Sequence, residues 1–343
     1  MDKKERVFAA IAHREADRVP KGETWIAGEL CNQILGSDFP LDYQHFERDL
    51  LTRQKLNMDL VNIGDWPQEQ IGYDDKERPV YLSNYGYEFI VEKNKKITRM
   101  PLEDIEDAAS YQKPDIGKVD PSLIKRFAAE SDLFVFAQIG GPVSMLNEMF
   151  DMEDFMVHAL TNTKEMVLIA EKVMEYEIEK AKLFIDNGAD GIFFADDIAF
   201  NSGLFLPPYI MDELVFPFYG HTVKTIKNYK DLPVFAHSDG NINSVLERYI
   251  DFGFDGLQSL QPSAGMDLAD VKRRVGDRLC LWGNIDLNYT MSFGAPGEVG
   301  QAVKEAIRIG NQGGGFILST CNSMIESIPT ENVFAMMRAS EAF

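Results

Sequence analysis

The chain has 343 residues, with 34 Lys+Arg against 55 Asp+Glu and a formal net charge of −21. That acidity excludes a protein built to hold nucleic acid through its phosphates, and 45% hydrophobic with 26% charged residues excludes a disordered or collagen-like chain. The three cysteines, Cys31, Cys280 and Cys321, are too few and too irregularly spaced for a disulfide framework. With no apolar run of signal-peptide or membrane-spanning length, the expected home is a reducing cytoplasm, away from membranes.

In chain order, β-branched or aromatic apolar runs recur at residues 19–26, 59–64, 133–139, 191–198, 232–237, 256–260, 279–285 and 315–320. Amphipathic helical patterns follow, among them 163–186, 208–228, 242–251, 268–275, 296–311 and 330–341. Runs apolar on both faces, such as Leu133-Phe134-Val135-Phe136-Ala137, read as parallel strands buried between a core and covering helices. Eight strands alternating with helices predict an α/β fold, a (β/α)8 TIM barrel, as one domain over 1–343 with an N-terminal helical segment. A doubly wound sheet is the alternative, but Lys21-Gly22-Glu23-Thr24 after the first strand lacks the G-x-G-x-x-G turn. One stretch departs from the pattern: about 79–93, with a turn at Asn84-Tyr85-Gly86, predicts an inserted β-hairpin near the barrel mouth.

Barrel chemistry sits at the C-terminal ends of the strands. His237 and Asp239 close the fifth predicted strand and, two residues apart, point to one side. Cys321 closes the eighth. Nitrogen, oxygen and sulfur ligands with an open position describe a catalytic zinc site, although each residue alone is commonly structural. The same rim carries Asp65 and Trp66, Gly140-Gly141-Pro142, Asp196 and Asp197, and Asn284 with Asp286. Adjacent Asp196 and Asp197 cannot both face inward, and carboxylates at strand ends often cap the next helix. Gly313-Gly314-Gly315 precedes its strand, so it reads as a tight turn and not a phosphate cradle; His13, His45, His158 and His221 receive no role.

Several segments together resemble the uroporphyrinogen decarboxylase superfamily: Arg6-Val7-Phe8-Ala9-Ala10-Ile11 with Asp17-Arg18-Val19-Pro20, Gly140-Gly141-Pro142, His237-Ser238-Asp239-Gly240-Asn241-Ile242, Trp282-Gly283-Asn284-Ile285-Asp286, Gly313-Gly314-Gly315-Phe316-Ile317-Leu318 and Ile328-Pro329-Thr330-Glu331-Asn332-Val333. The resemblance spans the chain and independently implies a (β/α)8 barrel. It also implies one of two chemistries: porphyrinogen decarboxylation, or zinc-dependent methyl transfer with a corrinoid protein. True decarboxylases carry an arginine-rich segment after the first strand, whereas no Arg occurs here between Arg18 and Arg48. Cys321 falls where the methyltransferases place a zinc-binding Cys. Their pattern is His-x-Cys with a distant Cys, and Asp239 stands for the first Cys; a carboxylate suits harder metals and leaves the ion more Lewis acidic. The expectation is therefore a zinc-dependent, corrinoid-linked methyltransferase, with metal ligands His237, Asp239 and Cys321. Its small methylated substrate, for example a methoxylated aromatic undergoing O-demethylation, would meet Trp25, Asp65, Trp66, Phe194, Asp196, Asn284 and Met324, with Phe205 nearby. The cobalamin would be carried by the corrinoid protein partner, and a homodimer is left open. The alternatives are a decarboxylase-type lyase, a methylcobamide:thiol methyltransferase and a non-catalytic binding barrel.

Overall fold

The computed structural model describes residues 1–36, 46–92 and 95–341; His45 and the last residue of the predicted hairpin lie outside them. In chain order the strands are β1 Leu60–Ile63, β2 Gln68–Tyr73, β3 Pro79–Ser83, β4 Glu88–Val91, β5 Lys95–Arg99, β6 Phe134–Gly140 and β7 Gly191–Ala195. They continue as β8 Ala199–Phe200, β9 Gly203–Leu204, β10 Val234–Ser238, β11 Gly256–Ser259, β12 Cys280–Ile285 and β13 Phe316–Thr320. Seven of them form a parallel sheet in the order β1-β6-β7-β10-β11-β12-β13, with helices covering its outer face.

The first predicted strand closes the barrel without becoming a regular ladder. Residues 19–26 lie between β13 and β1, with bridges Lys21 to Leu318 and Ile26 to Met324. Gly22 N donates to Leu318 O at 3.1 Å, Leu318 N to Pro20 O at 2.9 Å and Asp59 N to Lys21 O at 2.7 Å. Pro20 has no N–H to give, so the ladder is interrupted there. Buried Asp59 fastens this seam, accepting from Arg6, Arg18 and the Lys21 backbone N–H.

Side-chain alternation sorts the two faces. Inward residues Phe134, Phe136, Phe193, Phe235, Trp282 and Ile317 fill the lumen, and the Trp282 indole donates to Gly22 O at 2.9 Å. The barrel is thus packed, as expected for its strand number, and not a pore. The helix Lys3–Ile11, begun by an Asp2 and Glu5 capping box, adds Val7 and Ala10 to this cluster. Outward residues such as Val135 and Phe194 pack under helices, including the 24-residue Thr163–Asp186. The pattern over 242–251 yields helix only at Arg248–Asp251. Among the described residues no helix is long and apolar enough to cross a membrane.

The predicted hairpin is the middle of a four-stranded antiparallel sheet, β2-β3-β4-β5. Its outer strands are mostly solvent-exposed and polar, so they lack the alternation that marks β3 and β4. The β3–β4 turn docks on the barrel wall. Tyr85 Oη donates to buried Glu177, whose other oxygen accepts Gly140 N at 2.7 Å, while Lys180 Nζ pairs with Glu177 at 2.8 Å.

Candidate functional site

At the C-terminal mouth β10 runs into Ser238-Asp239-Gly240. Gly240 turns the chain with φ +81°, and a Cβ there would sit 2.2 Å from Ala199 O. That tight turn leaves His237 and Asp239 on one side. His237 pairs in register with Ala195 of β7, so the residue two beyond Ala195, Asp197, also faces the mouth. His237, Asp239 and Asp197 offer one nitrogen and two carboxylate oxygens lying within 4.8 Å of one another.

Each of the three is held from behind. His237 Nδ1 bonds the Gln258 side-chain amide, which orients the ring and leaves Nε2 toward the carboxylates. Asp239 Oδ1 accepts the Ser259 hydroxyl at 2.7 Å, and Oδ2 accepts from the Asn322 amide. Asp197 Oδ1 accepts Asp239 N at 2.7 Å, and its own N–H donates to Ser144 Oγ at 2.9 Å. Such outer partners orient the ligands of metal sites. Burial pushes the Asp239 carboxyl upward, opposed by neighbouring His237.

The donor set fits a divalent cation. Ligand atoms about 2.1 Å from a tetrahedral zinc ion stand about 3.4 Å apart. His237 Nε2 and Asp197 Oδ1 are 3.5 Å apart, long for a hydrogen bond between them but suited to sharing an ion. Two carboxylates and a neutral imidazole also balance most or all of a divalent charge.

Cys321 stands apart from this group. Its thiol is buried and is pushed up to about 12, chiefly by burial. It does line a cavity of about 510 Å³ with Asp239, Leu287, Phe293 and Ile325. Asp197 and His237 open into a chamber of about 210 Å³. This chamber continues into a second of about 360 Å³; Thr24, Trp25, Asn62, Trp66, Gln138 and Ser323 line both. Asn62 Nδ2 donates to Gln138 Oε1 at 2.7 Å, and Asn62 Oδ1 is buried without a partner among the described residues.

Of the expected substrate-binding residues, Trp25 and Trp66 wall these chambers. Asp196 borders the smaller one, but its 1% exposed carboxylate accepts Ser144 N at 2.6 Å, Val143 N at 3.3 Å and Tyr219 Oη at 2.8 Å. It anchors the start of the helix Pro142–Phe150, and burial pushes it up to about 7. Gly141 is required here, since a Cβ would lie 2.3 Å from Asp196. Phe194 is a correction: it points outward, 5.1 Å from the Tyr219 ring and 5.7 Å from Phe254, while neighbouring Phe193 faces the chamber beside His237. Met324 is fully buried, with its backbone bonded to Trp25 and Ala27. Asn284 donates to Leu260 O at 3.3 Å, and Asp65 accepts Asp120 N at 2.9 Å; neither lines the chambers described. Phe205 packs on Phe200 at 4.4 Å near the outer rim. The residues missed were Asp197 as the inward member of its pair, Phe193, and the orienting groups Gln258, Ser259 and Asn322. Period-two alternation from His237 through its neighbour strand could have found the first two.

The sequence gap in arginine between Arg18 and Arg48 is partly filled in space, because the helix Phe46–Lys55 brings Arg48 and Arg53 to the larger chamber. Arg53 is committed to Asp49 and to the carbonyls of Glu23 and Leu60.

The uroporphyrinogen decarboxylase (URO-D) family model matches residues 81–343. A methylcobamide:CoM methyltransferase of Methanosarcina barkeri is 25% identical over 99% of this chain and 98% of its own length. A uroporphyrinogen decarboxylase of Chlorobium phaeobacteroides is 28% identical, over 59% of this chain and 55% of its own. Among solved structures, a methyltransferase from Methanosarcina mazei superposes with a TM-score of 0.78 at 21% identity, covering 100% of this chain and 99% of that one.

Proposed function

The chain belongs to the uroporphyrinogen decarboxylase family, and within it we propose a metal-dependent methyltransferase that moves a methyl group between a small methylated substrate and a corrinoid protein. The favoured direction is O-demethylation of a methoxylated aromatic, with zinc as the ion. The observation that carries this reading is the convergence of His237 and two carboxylates at the mouth of an aromatic-walled cavity. End-to-end similarity to a methylcobamide:CoM methyltransferase supports it over decarboxylation, where the decarboxylase similarity covers 59% of the chain.

His237 and Asp239 would hold the ion, which would supply Lewis acidity for a leaving oxygen. The remaining work belongs to the chain. Trp25 and Trp66 bind the apolar body of the substrate. Gln258 orients the His237 imidazole, and Ser259 with Asn322 fixes the Asp239 carboxylate. Phe193 and Trp66 reduce water access beside His237.

The test is a panel of methoxylated aromatics offered with a reduced corrinoid protein, scoring the demethylated phenol and the methylated corrinoid together. Matched formation of both supports the reading. Turnover of uroporphyrinogen without methyl transfer would overturn it.

A further inference from the structure

Resting on the metal reading above, we infer that the ion's third protein ligand is Asp197 and that Cys321 is not bonded to it, making an oxygen, oxygen, nitrogen site at the C-terminal ends of β7 and β10. Three observations on separate elements converge. Asp197 is the inward residue two beyond Ala195, at the level where β7 meets His237. Its main chain is fixed on both sides: Asp196 N donates to His237 O at 3.0 Å and Asp197 N to Ser144 Oγ at 2.9 Å. Its Oδ1, held by Asp239 N at 2.7 Å, lies 3.5 Å from His237 Nε2, the spacing of two atoms on one ion. A preorganised carboxylate of this kind needs no rearrangement to bind.

Cys321 is built differently. It follows β13, and its backbone N–H is tied to Ile285 O at 2.9 Å. Cys321 lines a cavity with Asp239 but not the chamber of His237 and Asp197, and it is outside the group of ligand atoms that lie within 4.8 Å of one another. The Asn322 side chain, next to Cys321, already donates to Asp239 Oδ2.

A site with two carboxylates and one imidazole lacks the soft thiolate that selects zinc and copper(I), so it should also accept cobalt(II), manganese(II) and iron(II). The exposed half of Asp197 makes Asp197→Asn a mild test: its side chain is 47% exposed, and an amide oxygen can still accept Asp239 N–H. Zinc binding is measured by equilibrium dialysis and elemental analysis on full-length wild type, Asp197→Asn, Cys321→Ser and His237→Ala, each checked by circular dichroism. The cobalt(II) form of the wild type is examined for a thiolate-to-metal charge-transfer band. We expect Asp197→Asn to weaken zinc at least about tenfold, Cys321→Ser to stay within about twofold of wild type, and no charge-transfer band. Loss of zinc in Cys321→Ser with wild-type affinity in Asp197→Asn, or a charge-transfer band that Cys321→Ser abolishes, overturns the inference alone. Wild-type affinity in His237→Ala overturns the underlying metal reading as well.

Discussion

Replacing Asp59 with alanine should open the seam that closes the barrel. Asp59 is fully buried and accepts Arg6 Nη1 at 2.6 Å, Arg18 Nη1 at 2.7 Å, Arg18 Nη2 at 2.8 Å and Lys21 N at 2.9 Å. Removing one partner of a buried ion pair costs about 3–5 kcal/mol, because the remaining charge stays desolvated and unpaired. Here Arg6 keeps Asp17 at 2.7 Å and Arg18 keeps Val19 O at 3.1 Å, which places the loss at the lower end. We expect about 3–4 kcal/mol, or roughly 6–8 °C at about 2 °C per kcal/mol for a long chain. Urea unfolding followed by tryptophan fluorescence measures it, since Trp282 bonds the same closing segment. Asp59→Asn, which keeps an acceptor for Lys21 N, should lose less than alanine. An Asp59→Ala protein within about 1 kcal/mol of wild type would refute the assignment of this cluster as the closure.

Phe194→Ala should destabilise the protein by about 3–5 kcal/mol while leaving the affinity for a bound aromatic unchanged in a calorimetric titration; a selective loss of affinity would return Phe194 to the site. Gln258→Leu should lower zinc affinity about 10–100-fold through loss of imidazole orientation, read by dialysis, and unchanged affinity would contradict the role given to Gln258. Burial lifts the Glu23 carboxyl from its ordinary 4.5 to about 7. The folded chain therefore holds a proton that the unfolded chain releases, so this group's stabilising contribution is complete below pH 4.5 and declines as pH rises to about 7. Urea midpoints at pH 5 and pH 8 should fall more steeply for wild type than for Glu23→Gln; parallel profiles would disprove the linkage.

The barrel was legible because parallel strands buried on both faces leave apolar runs, and seven of eight runs became strands near the expected positions. The remaining run, 19–26, has the right place but makes only isolated bridges: Pro20 has no N–H, and the Lys21 N–H goes to the Asp59 side chain. Strands β2 and β5 stayed hidden because exposed edge strands carry no core face. At the site, His237 and Asp239 followed from strand-end position and period two, and Trp25 and Trp66 from their place on the rim. Phe194 and Asp196 were chosen one residue out of phase: in a β-strand such a slip exchanges lumen for wall, and Phe193 and Asp197 are the inward neighbours. Gln258, Ser259 and Asn322 act through contacts between strands and loops distant in sequence, and no local pattern marks such residues.

The most direct measurement is methyl transfer to a reduced corrinoid protein, followed spectroscopically with a methoxylated aromatic as donor, in metal-loaded, chelated and zinc-restored protein. Transfer should appear in the loaded protein, vanish on chelation and return with zinc. Undiminished transfer by the chelated, metal-free protein would contradict a catalytic metal at His237 and Asp239.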